Sequence, residues 1–426
     1  MKLFLKPSPI KGSILKINIC AALIVFFAYT LIFGFRKSFT VATFDGLYIA
    51  GYSYKTLLVI AQVLGYLLAK FYGVKYIAEL KRTGRGTVIL LLTGVAWLSW
   101  LGFALVPAPF NIPFLFINGF PLGLLWGVVF SYVEGRRGTD FIGATLAVSF
   151  IFASGLARSA GGWLMLTFGI SEFWMPFYTG LLFAFPLLVF VYLLERIPPP
   201  DKQDIDHRME RLPMDTGQRN QFLQTFLVGL IASILIYTFA TIFRDIRDNF
   251  GAEMWKEMGY FDQPLIFSQT ETPITLIILV LIGGMVWIKD NFKALMTAHA
   301  FIGLGFLLAG TVTLIFVNGH LSPLLWMTGS GLGLYMVYIP FNAVFFERLI
   351  ASFKYPGNVG FLIYLADSFA YVGSIGVLLA KEIFHIQLNW VMFFSNSVIA
   401  LSAIGLLLTL FSVYYFGAKY RRLKAA

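Results

Sequence analysis

Apolar runs recur twelve times along the chain, roughly at 17–44, 54–74, 86–106, 112–132, 142–168, 174–195, 221–246, 272–289, 293–317, 323–345, 356–380 and 389–416. Each is long enough to cross ~30 Å of hydrocarbon as a helix, where only helices and closed barrels satisfy their own backbone. The pattern predicts an all-α membrane protein with twelve transmembrane helices. Two polar intervals are long. ERIPPPDKQDIDHRMERLPMDTGQR, 195–219, opens on three prolines and reads as a linker. DIRDNFGAEMWKEMGYFDQPLIFSQTE, 245–271, carries acids and reads as an external loop that can serve as a lid over a vestibule. The expected organisation is therefore an N-terminal six-helix half at 1–195, a cytoplasmic linker at 196–219 and a C-terminal six-helix half at 220–426. The halves repeat elements weakly. Gly65 precedes Lys70 as Gly284 precedes Lys289, and Glu134 near Arg136 is echoed by Glu347 beside Arg348. Such repeats mark two pseudo-symmetric halves in many transporters.

Composition sharpens this picture. The chain is 58% apolar and only 12% charged, against about 25% charged in soluble domains, which excludes an ordinary cytosolic enzyme. The net charge of +11 follows membrane topology rather than nucleic-acid binding. Twelve spans put both termini on one side, and on that side lie most of the Lys and Arg. Only Arg36, Lys37, Lys55, Arg158, Arg244, Arg247, Lys256 and Lys381 fall elsewhere. By the positive-inside rule both termini are cytoplasmic. The first run is too long for a signal peptide, and no small-x-small cleavage site ends it, so it reads as an uncleaved span. The single cysteine, Cys20, excludes a disulfide framework, a thiolate metal cage and a redox pair. The four His show no ligand spacing, so no metal and no cofactor are expected. The intramembrane residues offer no nucleophile–base or paired His/Glu constellation, so an enzyme is not expected. No GxxxxGK[ST] loop occurs, which argues against primary transport by this chain alone.

Charges inside the spans carry the functional reading, because each must face a cavity or a partner. Arg36 and Lys37 lie ~30 Å of helix beyond Lys16. They end the first span by snorkelling, or sit inside the protein if the helix continues through Phe39–Phe44; an external Arg-Lys pair runs against the positive-inside rule. Lys70 is an end-of-helix lysine or a cavity cation. Arg158 falls ~22 Å past Gly143 in an uninterrupted span, among Ser154, Gly155, Ser159, Gly161 and Gly162. It is a cavity cation or the partner of Asp367. Arg244 and Arg247 interleave with Asp245 and Asp248 at the end of span 7, as cavity cations or as an external salt-bridge cluster. Asp367 lies ~20 Å into span 11 and must pair or take up a proton. Several cations and few deep acids imply a positive cavity for an anion, since guanidinium matches phosphate and carboxylate bidentately. Tyr29, Gln62, Trp126, Tyr237 and Asn342 are further candidates for its lining. The many Phe read as lipid-facing and core residues.

At these residues a family resemblance becomes specific. YTLIFGFRKSFTVATF, 29–44, resembles span 1 of the organophosphate-transporter branch of the major facilitator superfamily, which includes the bacterial glycerol-3-phosphate and hexose-6-phosphate antiporters. Lys70-Phe71, 34 residues after Arg36, resembles that branch's Lys-Phe in span 2. NGFPLGLLW (118–126) and SAGGW (159–163) are similar to its spans 4 and 5. The resemblance implies the two-half facilitator fold, with Arg36 and Arg244 holding phosphate from the two halves and Lys37 and Lys70 supporting the field. Arg158 falls where the branch has a substrate-contacting histidine. Some features depart from the branch. The usual Asp of the span 2–3 loop is absent from KFYGVKYIAELKRTGRG (70–86), the span 7 pattern is shifted, and Asp367 is not part of the antiporter pattern. The chain is also similar to an uncharacterised group of bacterial membrane proteins in this superfamily.

The expected function is alternating-access transport of a small anionic solute, an organophosphate first, across the bacterial inner membrane. The expected form is a monomer among membrane lipids, with no nucleic-acid partner. The rivals are a transporter-like sensor of a phosphorylated ligand and a proton-coupled carrier of a carboxylate or lipid.

Overall fold

The computed structural model describes residues 14–78, 84–134, 136, 139–200, 216–260, 262–285, 287–353, 355, 359–384 and 389–425. Lys2, Lys6, Lys11, Lys81, Arg82, Arg137, Lys354 and the middle of the expected linker, 201–215, lie outside them.

The apolar runs fold as helices: α1 Ile14–Lys37, α2 Tyr54–Ala78, α3 Arg85–Leu105, α4 Pro113–Phe130, α5 Thr139–Phe168, α6 Met175–Glu195, α7 Thr216–Asn249, α9 Ile266–Met285, α10 Asn291–Val317, α11 Pro323–Pro340, α13 Val359–Ile383 and α14 Trp390–Ala425. Two short helices, α8 Gly251–Glu257 and α12 Phe346–Ser352, complete the set. Ten helices among the described residues are long and apolar enough to cross a membrane. The 25-residue helices α2 and α13 bring the long helices to the expected twelve. The chain is an all-α, multi-pass membrane protein. Leu91, Leu98, Phe185 and Val280 leave more than half their surface exposed, as lipid-facing residues do.

Local signals set the boundaries. Pro113 and Pro323 occupy first-turn positions where a missing N–H costs nothing. Asp290 caps α10 by accepting from Lys293 N at 2.7 Å, and Ser322 caps α11. A π-helical turn, Phe341–Phe345, follows Pro340 and joins α11 to α12. Proline removes a backbone donor at that point.

The chain divides into two compact units. The first holds Met1–Arg208, Asp248–Thr275 and Leu378–Gln387; the second holds Met209–Arg247, Leu276–Val377 and Leu388–Ala426. Beyond the sequence boundaries, the first unit thus takes in the whole 248–275 stretch. In it α2 packs on α4, α1 on α5 and α6, and α3 on α4; in the second, α10 packs on α11 and α14. A cluster of Val25, Ala28, Ile32, Leu125, Val128, Leu146, Ala153 and Val191 fills the centre of the first unit.

The α2–α4 contact is close because glycines face backbone. A Cβ on Gly65 would lie 2.3 Å from Phe116 O, and one on Gly119 would lie 2.2 Å from Gln62 O. Gly119→Ala is expected to destabilise by about 1–3 kcal/mol through overpacking, read as a lower melting temperature of the purified protein. Gly94→Ala, with nothing within 4 Å of its added methyl, serves as the neutral control.

Candidate functional site

The site is built at the end of α1. A helix's last carbonyls lack intrahelical donors, and here side chains of three neighbours supply them. Phe35 O accepts from Trp100 Nε1 at 2.6 Å and from Asn118 Nδ2 at 3.1 Å, and Arg36 O accepts from Gln62 Nε2 at 3.1 Å. Gln62 and Asn118 are themselves hydrogen-bonded at 2.9 Å. The turn bearing Arg36 and Lys37 is therefore fixed, and its cations sit at the negative end of the helix dipole. A 3₁₀ turn, Ser38–Val41, follows, so α1 stops at Lys37.

Arg36 is 9% exposed. Its guanidinium lies 4.0 Å from the centroid of the Tyr66 ring and 5.6 Å from that of Phe33. It makes no ion pair and no side-chain hydrogen bond among the described residues, and its Nε is a buried donor without an acceptor. Lys70, four residues after Tyr66 and so on the same helical face, brings its ammonium to 5.3 Å of the same ring centroid. Two cations thus share one aromatic ring.

Lys37, next in sequence, does something else. Its Nζ donates to Asn249 Oδ1 at 2.7 Å. Arg158, buried at 2% exposure, is held by carboxylates. Its Nη2 lies 3.1 Å from Glu271 Oε1 and 3.7 Å from Asp248 Oδ1, Nε donates to Ser154 O at 3.1 Å, and its guanidinium lies over Phe267. Glu271, expected in a loop, belongs to α9, which begins at Ile266. Its neutralisation by Arg158 lets it enter a span that an apolar count starts one residue later.

In the second unit, Arg244 lies 3.9 Å over the Tyr338 ring and grips Asp245 Oδ1 at 2.7 and 3.2 Å. Asp245 Oδ2 accepts from Ser374 at 3.0 Å. Arg247 donates to Met327 O at 2.9 Å. Asp367 accepts from Tyr237 Oη at 2.5 Å, and Asn342, on the π-helical turn, donates to the same oxygen at 3.3 Å. Tyr237 stacks on Tyr338 with centroids 5.2 Å apart. The sequence singled out Tyr237, Asn342 and Gln62 as lining candidates, but missed Tyr66 and Tyr338, whose rings carry the cations. Their i±4 spacing from Lys70 and Asn342 is the signal that was available.

A charged rim completes the first unit. Lys55 Nζ contacts Glu253 Oε1 and Oε2 at 2.6 and 2.7 Å, Lys256 pairs with Asp45, and Glu172 accepts from Thr43 N and Phe44 N at 2.9 and 3.1 Å. Burial would raise the Asp45 carboxyl, but hydrogen bonds from Lys256 and Thr43 and the charges of Lys256 and Lys55 overcome it and hold Asp45 below 3.8. A depressed carboxylate contributes stability above its unfolded value that is lost as pH falls through the folded one. Asp45→Asn should therefore melt slightly below wild type at neutral pH, and the gap should close in acid below 3.8, as followed by thermal unfolding across a pH series.

The family model described as "Family of unknown function (DUF5690)" matches residues 38–419. The chain belongs to DUF5690. No curated protein matches this DUF5690 chain by sequence. Several solved structures resemble it across nearly the whole chain. The nucleoside transporter NupG aligns with a TM-score of 0.61 at 15% identity, covering 94% of the DUF5690 chain and 99% of NupG. The D-xylose-proton symporter gives 0.59 at 15% identity, covering 94% and 97%. The human organic anion transporter MFSD10 gives 0.54 at 16% identity, covering 94% and 98%. This chain thus has the major facilitator fold. At these identities the likeness is one of fold.

Proposed function

We propose that this DUF5690 protein is a secondary transporter of a small anionic solute, an organophosphate first, in the bacterial inner membrane with both termini cytoplasmic. One observation carries the reading: Arg36 is buried beside Tyr66 with no counter-charge, while Lys70 approaches the same ring. A buried cation lacking a carboxylate partner is costly in a protein interior, and an anionic solute supplies the missing charge. Two cations around one ring suit a phosphate dianion better than a monocarboxylate. Guanidinium adds bidentate geometry, and the ring orients both cations through cation–π contact. Arg244 on Tyr338 is proposed as the second unit's anion contact, with its charge shared by Asp245. Lys37 and Arg158, engaged by Asn249 and Glu271, are assigned to structure instead. The facilitator fold supports transport, and one protein of similar fold is an organic anion transporter.

The test is uptake into proteoliposomes of labelled glycerol-3-phosphate and hexose-6-phosphate, with inorganic phosphate inside. Wild type is expected to exchange at least one of them. Arg36→Met is expected to lose about 30-fold or more, the cost of truncating one partner of a buried charge contact. Uptake unaffected by Arg36→Met overturns the reading, and binding without uptake favours a sensor.

A further inference from the structure

Residues 249–256, the last residue of α7 and most of the short helix α8, lie against the 3₁₀ turn Ser38–Val41 as a strap. Three lysine contacts tie it down: Lys37 to Asn249, Lys55 to Glu253 and Lys256 to Asp45. The middle one is unusual. Lys55 is 2% exposed and Glu253 15%, and Lys55 Nζ also donates to Thr40 O at 3.0 Å and lies near the Phe250 ring. Burial raises the Glu253 carboxyl, and the charge and hydrogen bond of Lys55 only partly offset that. Buried ion pairs of this kind generally return little beyond the cost of desolvating both charges. An apolar contact of equal size would hold the strap more firmly, as buried ion pairs generally compare with hydrophobic replacements. The strap already buries Phe250, Met254 and Trp255, so apolar anchoring is at hand. A costly charge pair beside it makes sense where the contact has to part, because each charge regains its hydration on separation while an apolar face does not.

We infer that 249–256 is a releasable strap, with Lys55–Glu253 as its charged latch over the 3₁₀ turn that follows Arg36 and Lys37. Lys37 is then a latch residue rather than an anion ligand, and its contact with Asn249 ties the strap to the turn that carries Arg36. The role as a gate rests on the transport reading, but the test below needs no solute, so the two fail separately.

Thr40 lies beneath the strap with no exposed surface, and Cys20 is the chain's only cysteine. In a Cys20→Ser, Thr40→Cys background in nanodiscs, labelling by a membrane-impermeant methanethiosulfonate reports strap opening. Glu253→Ala leaves Lys55 buried and unpaired and is expected to speed labelling by about tenfold or more. Glu253→Gln keeps shape and one hydrogen bond and is expected to fall between, which guards against a variant that misfolds. The apolar pair Lys55→Met with Glu253→Leu is expected to label more slowly than the parent. Labelling of Glu253→Ala and Glu253→Gln at the parent rate overturns the latch. So does an apolar pair that labels as fast as the parent, since charge would then not govern release.

Discussion

Arg158→Ala should lower the stability of the purified protein by about 3–5 kcal/mol, the cost of removing one side of a buried ion pair. The loss follows from what remains. Glu271 and Asp248, 2% and 5% exposed, would be left in the interior without the guanidinium that faces both. Lysine at 158 would keep the charge but not the fork that reaches Ser154 O and two carboxylates at once, so Arg158→Lys should recover only part of the loss. Replacing the pair together, Arg158→Met with Glu271→Leu, should recover more than either single variant. Thermal unfolding of the three variants beside wild type measures this directly. A melting temperature for Arg158→Ala equal to wild type would show that the pair carries no structural load. The same double variant separates structure from binding: if Arg158 serves Glu271, a response to anions should survive in it.

Arg36→Met should move stability the other way. Arg36 has no carboxylate to lose among the described residues, only the ring contacts with Tyr66 and Phe33, and a methionine fills the space between Phe33 and Tyr66 without a buried charge. A gain of about 0.5–2 kcal/mol is expected, the usual return when a functional site is relieved of its strain, together with loss of anion-dependent stabilisation. Lower stability in Arg36→Met would mean that the guanidinium is a structural group after all. The contrast between Arg36 and Arg158 is the main energetic statement of the fold: two buried arginines in the same unit, one neutralised by its own chain and one without a carboxylate partner among the described residues.

Much of this was legible in the sequence. The apolar runs give the twelve long helices because a membrane imposes a length and an internal hydrogen-bonding rule that few other environments do. Arg36 and Arg158 stood out because each falls deep within an apolar run. What the sequence could not reveal is which cation has a carboxylate. Glu271 and Asp248 sit in the polar interval between spans 7 and 8, and only the continuation of α7 to Asn249 and the early start of α9 bring them beside Arg158. Sequence spacing offered Asp367 as the partner, while the structure sets Asp367 on Tyr237. Lys37 and Arg36 are adjacent in sequence and look equivalent, yet successive residues on a helix point about 100° apart, and the two cations end on different partners. The strap was visible only as an acidic external loop, since its three lysine contacts join residues about 200 positions apart.

The most direct test of the central claim is anion-dependent stabilisation of wild type and Arg36→Met, titrated with inorganic phosphate, glycerol-3-phosphate, hexose-6-phosphate and a matched set of carboxylates. The account predicts a concentration-dependent rise in melting temperature for wild type, largest with phosphate monoesters and absent from Arg36→Met. The same rise in both proteins, or none with any anion in wild type, would contradict it.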